Sequence, residues 1–454
     1  MTTVLEADYL VVGAGAAGMA FTDALVDHSD VRVVLVDRRA GAGGHWLDAY
    51  PFVRLHQASA FYGVASTLLG GRRIQQSGPE EGLHERATQP EIRDYYAQAL
   101  QRMGDRVSFY GGCDHVSDNR FVSLETGEAF EVRGRLVDAT YLAPRIPACT
   151  PPPFGVVDGV DVVAVNDLVH VGGAPSQYVV VGAGKTATDA CIWLLDNGVD
   201  PDAIRWVRPR DPWMLNRAVV QPEPAVFLGM AADVFEAATR TTDPEQFFLL
   251  LEEQGIMLRV DRSVTPTMAK APTLAQWELD QLRSLEDVVR LGHIQHVEPG
   301  RLVCADGDAP IARDAVVVHC AADGLRYPPL VPIWQPDRIT VQPVRAGFPC
   351  FGAAVSGYVE ATVDDDAEKN RLCPPSPYPD TPASWVRMQA VGARSAAAFS
   401  SSPEIKAWAN QLSINPAAIP EGTPMTDALS TALDRLQRYG GPGAAALATL
   451  AGMG

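Results

Sequence analysis

One pattern restricts the fold of this chain more than any other. A short apolar strand, a glycine-rich turn, a helix and a second strand are written twice. In the first copy Asp8-Tyr-Leu-Val-Val12 runs into Gly13-Ala14-Gly15-Ala16-Ala17-Gly18, Ala20 to Val26 reads as a helix, and Val31 to Val36 ends in Asp37. Strands that are apolar throughout belong in a parallel sheet covered on both faces. In such a unit Gly13 makes the tight turn, Gly15 leaves room for a pyrophosphate, and Gly18 lets the helix lie close to the strand. The helix start around Ala17 offers unpaired N–H groups to phosphate oxygens. Asp37, 19 residues past Gly18, is placed to accept hydrogen bonds from a ribose, with Arg38 beside it.

The second copy is Tyr178 to Val181, then Gly182-Ala-Gly184-Lys185-Thr186-Ala187, a helix over Thr188 to Leu195 stopped by Asn197-Gly198, and the strand Ile204 to Val207. It ends in Arg208-Pro-Arg210 where the first copy has an acid. An arginine there suits a 2′-phosphate, so NADPH is expected at Gly182, Gly184, Lys185, Thr186, Arg208 and Arg210. Two such units predict an α/β protein with two Rossmann-like dinucleotide-binding domains.

Charge narrows the partners. The 454 residues carry 37 basic against 55 acidic side chains, a net of −18, which disfavours nucleic acid and anionic membranes. No basic, apolar leader opens the sequence and no apolar run of about 18 residues occurs, so a cytoplasmic protein is expected. The seven cysteines form no C-x-x-C pair, so neither a zinc site nor a disulfide framework is expected, and no metal.

Between the two turns come Gly43-Gly44-His45-Trp46, Tyr50-Pro51 and Val137-Asp138-Ala139-Thr140, with Pro144 and Pro147 following. In this order the sequence resembles the class B flavoprotein monooxygenases: the flavin-containing, Baeyer–Villiger and N-hydroxylating enzymes. It departs from them at Tyr141, where their strand end has Gly, and over Phe154 to Val163, where their fingerprint has a His. Disulfide reductases share the layout, but place a cysteine pair after the first unit. Here Trp46 stands there and no Cys precedes Cys113.

The resemblance implies FAD at the first turn and NADPH at the second. It implies a discontinuous FAD domain, residues 1–165 and 326–400, and an NAD(P) domain, 166–325, inserted in it. The latter carries a helical insertion at 216–290, and a helical segment, 401–454, closes the chain. Cofactor contacts are expected from Gly44, His45, Trp46, Gln57, Thr140 and Gly352, and near the adenine from Cys113. Arg54 and His56 are expected beside flavin or substrate. Arg345 is expected to offset negative charge on the flavin. The implied activity is FAD- and NADPH-dependent monooxygenation of a small-molecule substrate by molecular oxygen, through a flavin hydroperoxide. An oxidase or dehydrogenase with a vestigial nicotinamide site, and a non-catalytic FAD-binding protein, stand as alternatives. Self-association into a homo-oligomer is left open.

Further expectations are local. Thr88, Pro90 and Glu91 predict a capped helix to Met103, and Cys113 to Val116 a turn. A helix is expected over 274–291, an end to the last helix at Gly440-Gly-Pro-Gly443, and close approach of small residues 352–357 to a flat ring. The chain is expected to leave the second domain at Asp323-Gly324, and Phe247 and Trp277 of the insertion are expected to touch substrate.

Overall fold

The structure is a computed structural model and describes residues 2–322, 324 and 326–453. Both glycine turns join a buried parallel strand to a helix. Strands β1 (Thr2–Val12), β2 (Val33–Asp37), β3 (Val107–Gly111), β4 (Cys113–Ser117), β5 (Arg120–Ser123) and β6 (Ala129–Asp138) lie in the order β3-β2-β1-β6-β5-β4. The pairs β1–β2, β2–β3 and β1–β6 are parallel, and β4, β5 and β6 form an antiparallel meander. Helix α1 (Ala16–Asp27) packs on the sheet through the fully buried Met19, Phe21 and Leu25. Helix α2 (Gln89–Arg102) starts at Thr88 with the expected reciprocal cap, Glu91 accepting from the Thr88 N–H at 2.8 Å. Cys113 opens a strand and is not in a turn; the turn is made one residue earlier, by Gly112 at φ +65°.

The second half begins with β7 (Gly155–Val156), β8 (Asp161–Ala164) and β9 (Tyr178–Val181), followed by α3 (Lys185–Asp196), β10 (Ile204–Val207) and β11 (Pro212–Asn216). Next come α4 (Pro224–Thr239), α5 (Pro244–Glu253), β12 (Met257–Arg259), β13 (Met268–Leu274), α6 (Gln276–Leu282) and β14 (Val288–Val289). The run closes with β15 (Ile294–Glu298), β16 (Arg301–Cys304), β17 (Gly307–Pro310) and β18 (Val316–His319). An all-parallel sheet, β14-β10-β9-β18-β8, carries the second turn. Residues 216–290, expected to be a helical insertion, hold helices α4, α5 and α6 and also strands β12 and β13, which flank β11 in a small sheet, β12-β11-β13. Helix α6 stops at Leu282, short of the expected 291, because residues beyond it are drawn into the parallel sheet. The Trp206 and Arg208 N–H groups donate to the Asp287 and Val289 carbonyls, both at 2.9 Å.

The first sheet is completed late in the chain. Strand β19 (Arg338–Thr340) pairs parallel with Leu136–Asp138 of β6. Asp323 lies outside the described residues, while Gly324 bridges back to Arg145. Five helices follow: α7 (Pro349–Thr362), α8 (Asp366–Leu372), α9 (Pro382–Phe399), α10 (Pro403–Ala409) and α11 (Asp427–Leu450). The small residues of α7 serve helix packing. A Cβ at Gly357 would lie 2.2 Å from the Phe21 carbonyl oxygen of α1. Helix α11 does not end at residues 440–443 but runs through them, with Pro442 inside it. Gly443 lets it close onto α4, since a Cβ there would lie 2.5 Å from Phe235 Cβ. Phe247 is fully buried in a separate core with Phe248 and Trp385, so it supports the insertion and does not face a ligand cleft.

Candidate active site

Around the first turn Gly13, Gly18 and Gly44 are required for different reasons. Gly13 has φ +103°, a conformation costly for any side chain. A Cβ at Gly18 would fall 1.8 Å from the Gly13 carbonyl oxygen. Gly15 faces Gly44 of the following loop: a Cβ on Gly44, at φ +58°, would lie 2.8 Å from Gly15 Cα. The N-terminus of α1, with Ala17 in its first turn, has no side-chain cap and no acidic residue there. Helices α9, α10 and α11 are capped by their own Thr381, Ser402 and Thr426. The buried Asp37 accepts from the N–H groups of Ala14 and Arg39, both at 2.8 Å, so it also ties the turn together. Arg38 is exposed and pairs loosely with Asp114 at 3.6 Å. Cys113 is buried, which raises its thiol pKa. Thr140 donates from N and Oγ1 to Asp138 while its methyl faces Gly13.

The loop after β2 separates the expected residues. The Trp46 indole donates to the Tyr62 hydroxyl at 2.6 Å, which fixes the ring. His45 stays neutral, with its pKa pulled to about 4 by burial and then by Arg39. Gln57 is buried and reaches the Phe61 carbonyl at 3.5 Å. Arg54 and His56 point different ways. Arg54 is exposed and lines an outer groove of about 940 Å³ with Arg86 and Trp277. His56 faces inward, where its Nδ1 accepts the Thr273 N–H at 3.3 Å. Burial, then Lys185, Arg217 and Arg86, hold its pKa at about 3. It is therefore a neutral imidazole with its proton on Nε2, a donor and not a base.

Arg345 lies 5.8 Å from the centre of the Phe227 ring, with no carboxylate partner among the described residues. Burial lowers its pKa to about 10, so it remains a cation. Gly352 does not open toward a ring: a Cβ there would meet the backbone of Val344 at 2.7 Å.

At the second turn Gly182 has φ +133°, and the space beside Gly184 is open. The N-terminus of α3, which begins at Lys185 and Thr186, is again uncapped and free of acids. Lys185 turns back to pair with Asp189 and, at 3.4 Å, with Glu278. Asp189 accepts from the Tyr50 hydroxyl at 2.7 Å, which links the two glycine-turn units. Glu278 also binds the fully buried Arg217 at 2.6 Å, and Arg217 reaches Glu80 at 2.5 Å. Burial would raise the Glu278 pKa, yet Lys185, Arg217 and Arg86 hold it at about 2. This ionic chain was missed in the sequence. The one local signal for it, not used in the sequence reading, is the i, i+4 spacing of Lys185 and Asp189 on one helix face. The two arginines expected at a 2′-phosphate are not brought together. Arg210 pairs with Asp380 at 2.8 Å, and Arg208 is buried against Trp206 and Asp211.

Residues 7–269 match the family described as pyridine nucleotide-disulphide oxidoreductase. The chain belongs to that family. In this oxidoreductase all seven cysteines are free. It is 42% identical to uncharacterized proteins of Mycobacterium tuberculosis and Mycobacterium bovis over 418 residues, 90% of this chain and 78% of theirs. Among solved structures, the polycyclic ketone monooxygenase of Thermothelomyces thermophila shares the fold, with a TM-score of 0.52 at 12% identity. The match covers 98% of this chain and 89% of that one. The oxidoreductase thus has a flavin-monooxygenase type of fold, as the resemblance implied. No helix among the described residues is long and apolar enough to cross a membrane.

Proposed function

We propose that this oxidoreductase uses FAD and NADPH to insert oxygen into a small organic substrate. The observation that carries this reading is the pair of uncapped glycine cradles, joined by Tyr50 and Asp189, in a chain without a cysteine pair. The first turn suits a pyrophosphate, because the α1 N–H groups there have no side-chain cap and Gly15 beside them carries no side chain to cover them. In this reading residues 1–165 and 326–400 hold FAD, and 166–325 hold the nicotinamide nucleotide. Bound FAD would supply hydride acceptance and oxygen chemistry. The chain's own groups do the rest. Arg345 brings an unneutralised charge that stabilises negative charge in a desolvated site. His56 donates one hydrogen bond from Nε2 without changing charge near neutral pH. Trp46 and Gln57 wall the loop against water.

A second reading, a flavoprotein oxidase that does not use a nicotinamide, is favoured by one observation. Arg208 and Arg210 already hold carboxylates. An anaerobic titration separates the two. Bleaching of the yellow band by NADPH supports the first reading, and bleaching only by an organic substrate supports the second. Turnover under labelled oxygen should then place one labelled atom in the product. Recovery of all the oxygen as peroxide would sink the monooxygenase.

A further inference from the structure

We propose that Thr273, aimed by a bulge in β13, and Arg217 are positioning residues that fix the His56 imidazole as a hydrogen-bond donor to the bound substrate. This role presupposes the oxidoreductase reading above, and it gives residues 216–290 a task in the first unit's site. Between the pairs Trp213–Ala269 and Leu215–Thr273, β13 advances four residues while β11 advances two. The surplus falls on Lys270-Ala271-Pro272. Proline brings no N–H and is tolerated in such a bulge. A bulge re-aims the residues beside it, and here the residue beside it is Thr273.

Thr273 grips His56 at ring and backbone together. Its N–H donates to the ring Nδ1 at 3.3 Å, and its hydroxyl donates to the His56 carbonyl. Arg217 Nε donates to the same carbonyl at 2.8 Å, and Arg217 Nη2 reaches the Thr273 carbonyl at 3.4 Å. Glu278 braces the pair, accepting from Arg217 at 2.6 Å and from the Ala275 N–H at 2.7 Å. Thr273, Arg217 and Glu278 are all buried. Residues 161 and 217 positions further along the chain thus hold one histidine in place.

The other ring nitrogen is left for a ligand. With Nδ1 occupied as an acceptor, the proton lies on Nε2. Nε2 makes no hydrogen bond among the described residues, and it is not one of the polar atoms sealed away without a partner. His56 itself is only half-buried. One edge of the ring is clamped and the other is open. Burial, then the charges of Lys185, Arg217 and Arg86, keep the ring from taking a second proton near neutral pH. A loose imidazole would exchange tautomers and turn a lone pair toward the substrate in one of them. The Thr273 N–H removes that second form, so the site offers a donor at all times and favours a substrate with an acceptor atom there.

Nitrogen NMR of the full-length protein labelled at histidine reads the clamp directly, with His56→Gln identifying the signals by their loss. His56 should show a protonated Nε2 and a bare Nδ1, unchanged between pH 8 and pH 5. Thr273→Val keeps the backbone N–H and should keep that tautomer, whereas Thr273→Pro removes the N–H and should give a mixture. A proton on Nδ1, ring protonation near the ordinary pKa of about 6.5, or an unchanged tautomer in Thr273→Pro overturns the role. Circular dichroism checks the fold of each variant, and if Thr273→Pro does not fold, turnover decides. The amide nitrogen of His56→Gln reaches the Nε2 position, and that of His56→Asn reaches only Nδ1. Product formed per NADPH should stay within about threefold of wild type in His56→Gln and fall about tenfold or more in His56→Asn, at equal FAD content. Equal losses in the two variants overturn the donor. If NADPH does not reduce the flavin, the oxidoreductase reading loses its cofactor, and the tautomers of the wild type and the Thr273 variants still decide the clamp.

Discussion

Gly15 and Gly44 meet backbone to backbone in the first cradle, and the two positions tolerate change differently. A Cβ on Gly15 would sit 3.6 Å from Gly44 Cα, an ordinary contact, so the fold itself accepts a small side chain there. Gly15→Leu should therefore purify as a folded protein that lacks the yellow colour, read by absorbance and circular dichroism. A fully yellow variant with one FAD per chain would remove FAD from this turn. The arginines after β10 also differ in what they can be asked to do. Arg210 is part-exposed and serves Asp380, so Arg210→Ala should cost no more than about 1 kcal/mol of stability and leave the NADPH preference unchanged. Flavin-reduction rates with NADPH and NADH check this. His45 and His56 give the protein a pH response. Both are neutral when folded, with pKa values of about 4 and 3, while the unfolded chain takes up protons near 6.5. Below pH 6.5 the unfolded state binds more protons, so stability falls as pH falls toward 3. His45→Gln and His56→Gln should each flatten that slope in urea melts run from pH 7 to pH 4.

At the scale of elements, the seam between α11 and α4 separates two glycines that look alike in the sequence. Gly443 meets Phe235, whereas nothing lies within 4 Å of a Cβ built on Gly441. Gly443→Ala should destabilise by about 1–3 kcal/mol through overpacking. Gly441→Ala should stabilise by about 0.5–1 kcal/mol through lower helix-interior entropy. Thermal melts of the pair give the contrast, and equal shifts would contradict the packing. The residues 440–443 read as a stop in the sequence because Gly and Pro weaken helices locally, and that local rule was overridden by tertiary packing. The glycine turns and the Thr88 cap were legible for the opposite reason. Their conformation is decided within a few residues, by φ above zero at Gly13 and Gly182 and by one side chain reaching three residues on. What Arg208, Arg210 and Arg217 would pair with was not legible. A long side chain chooses its partner from segments far along the chain, as Arg217 does with Glu80.

Across the whole molecule, the ionic chain from Arg86 and Glu80 through Arg217 and Glu278 to Lys185 and Asp189 joins the first unit, the insertion and the second turn. Its centre, Arg217, has no exposed side-chain surface. Arg217→Met takes from the buried Glu80 and Glu278 the cation they share, leaving them only Arg86 and Lys185, and should cost about 3–5 kcal/mol. Adding Glu278→Gln should recover part of that loss, which denaturant titration measures; no recovery would mean that Arg217 acts by packing alone. The first sheet has another consequence, one that concerns synthesis. The edge of β6 at Leu136–Asp138 is filled by β19, which begins 200 residues later, at Arg338. At a ribosomal pace of about 5–20 residues per second, that edge waits roughly 10–40 s for its neighbour. Phe21 and Ala24 of α1 wait longer still, for α7. Throughout that interval the nascent chain carries an unpaired strand edge and an uncovered apolar helix face while its second half folds. The amino-terminal half is thus made first and finished last, and a chain released before residue 338 should aggregate instead of accumulating as a soluble fragment.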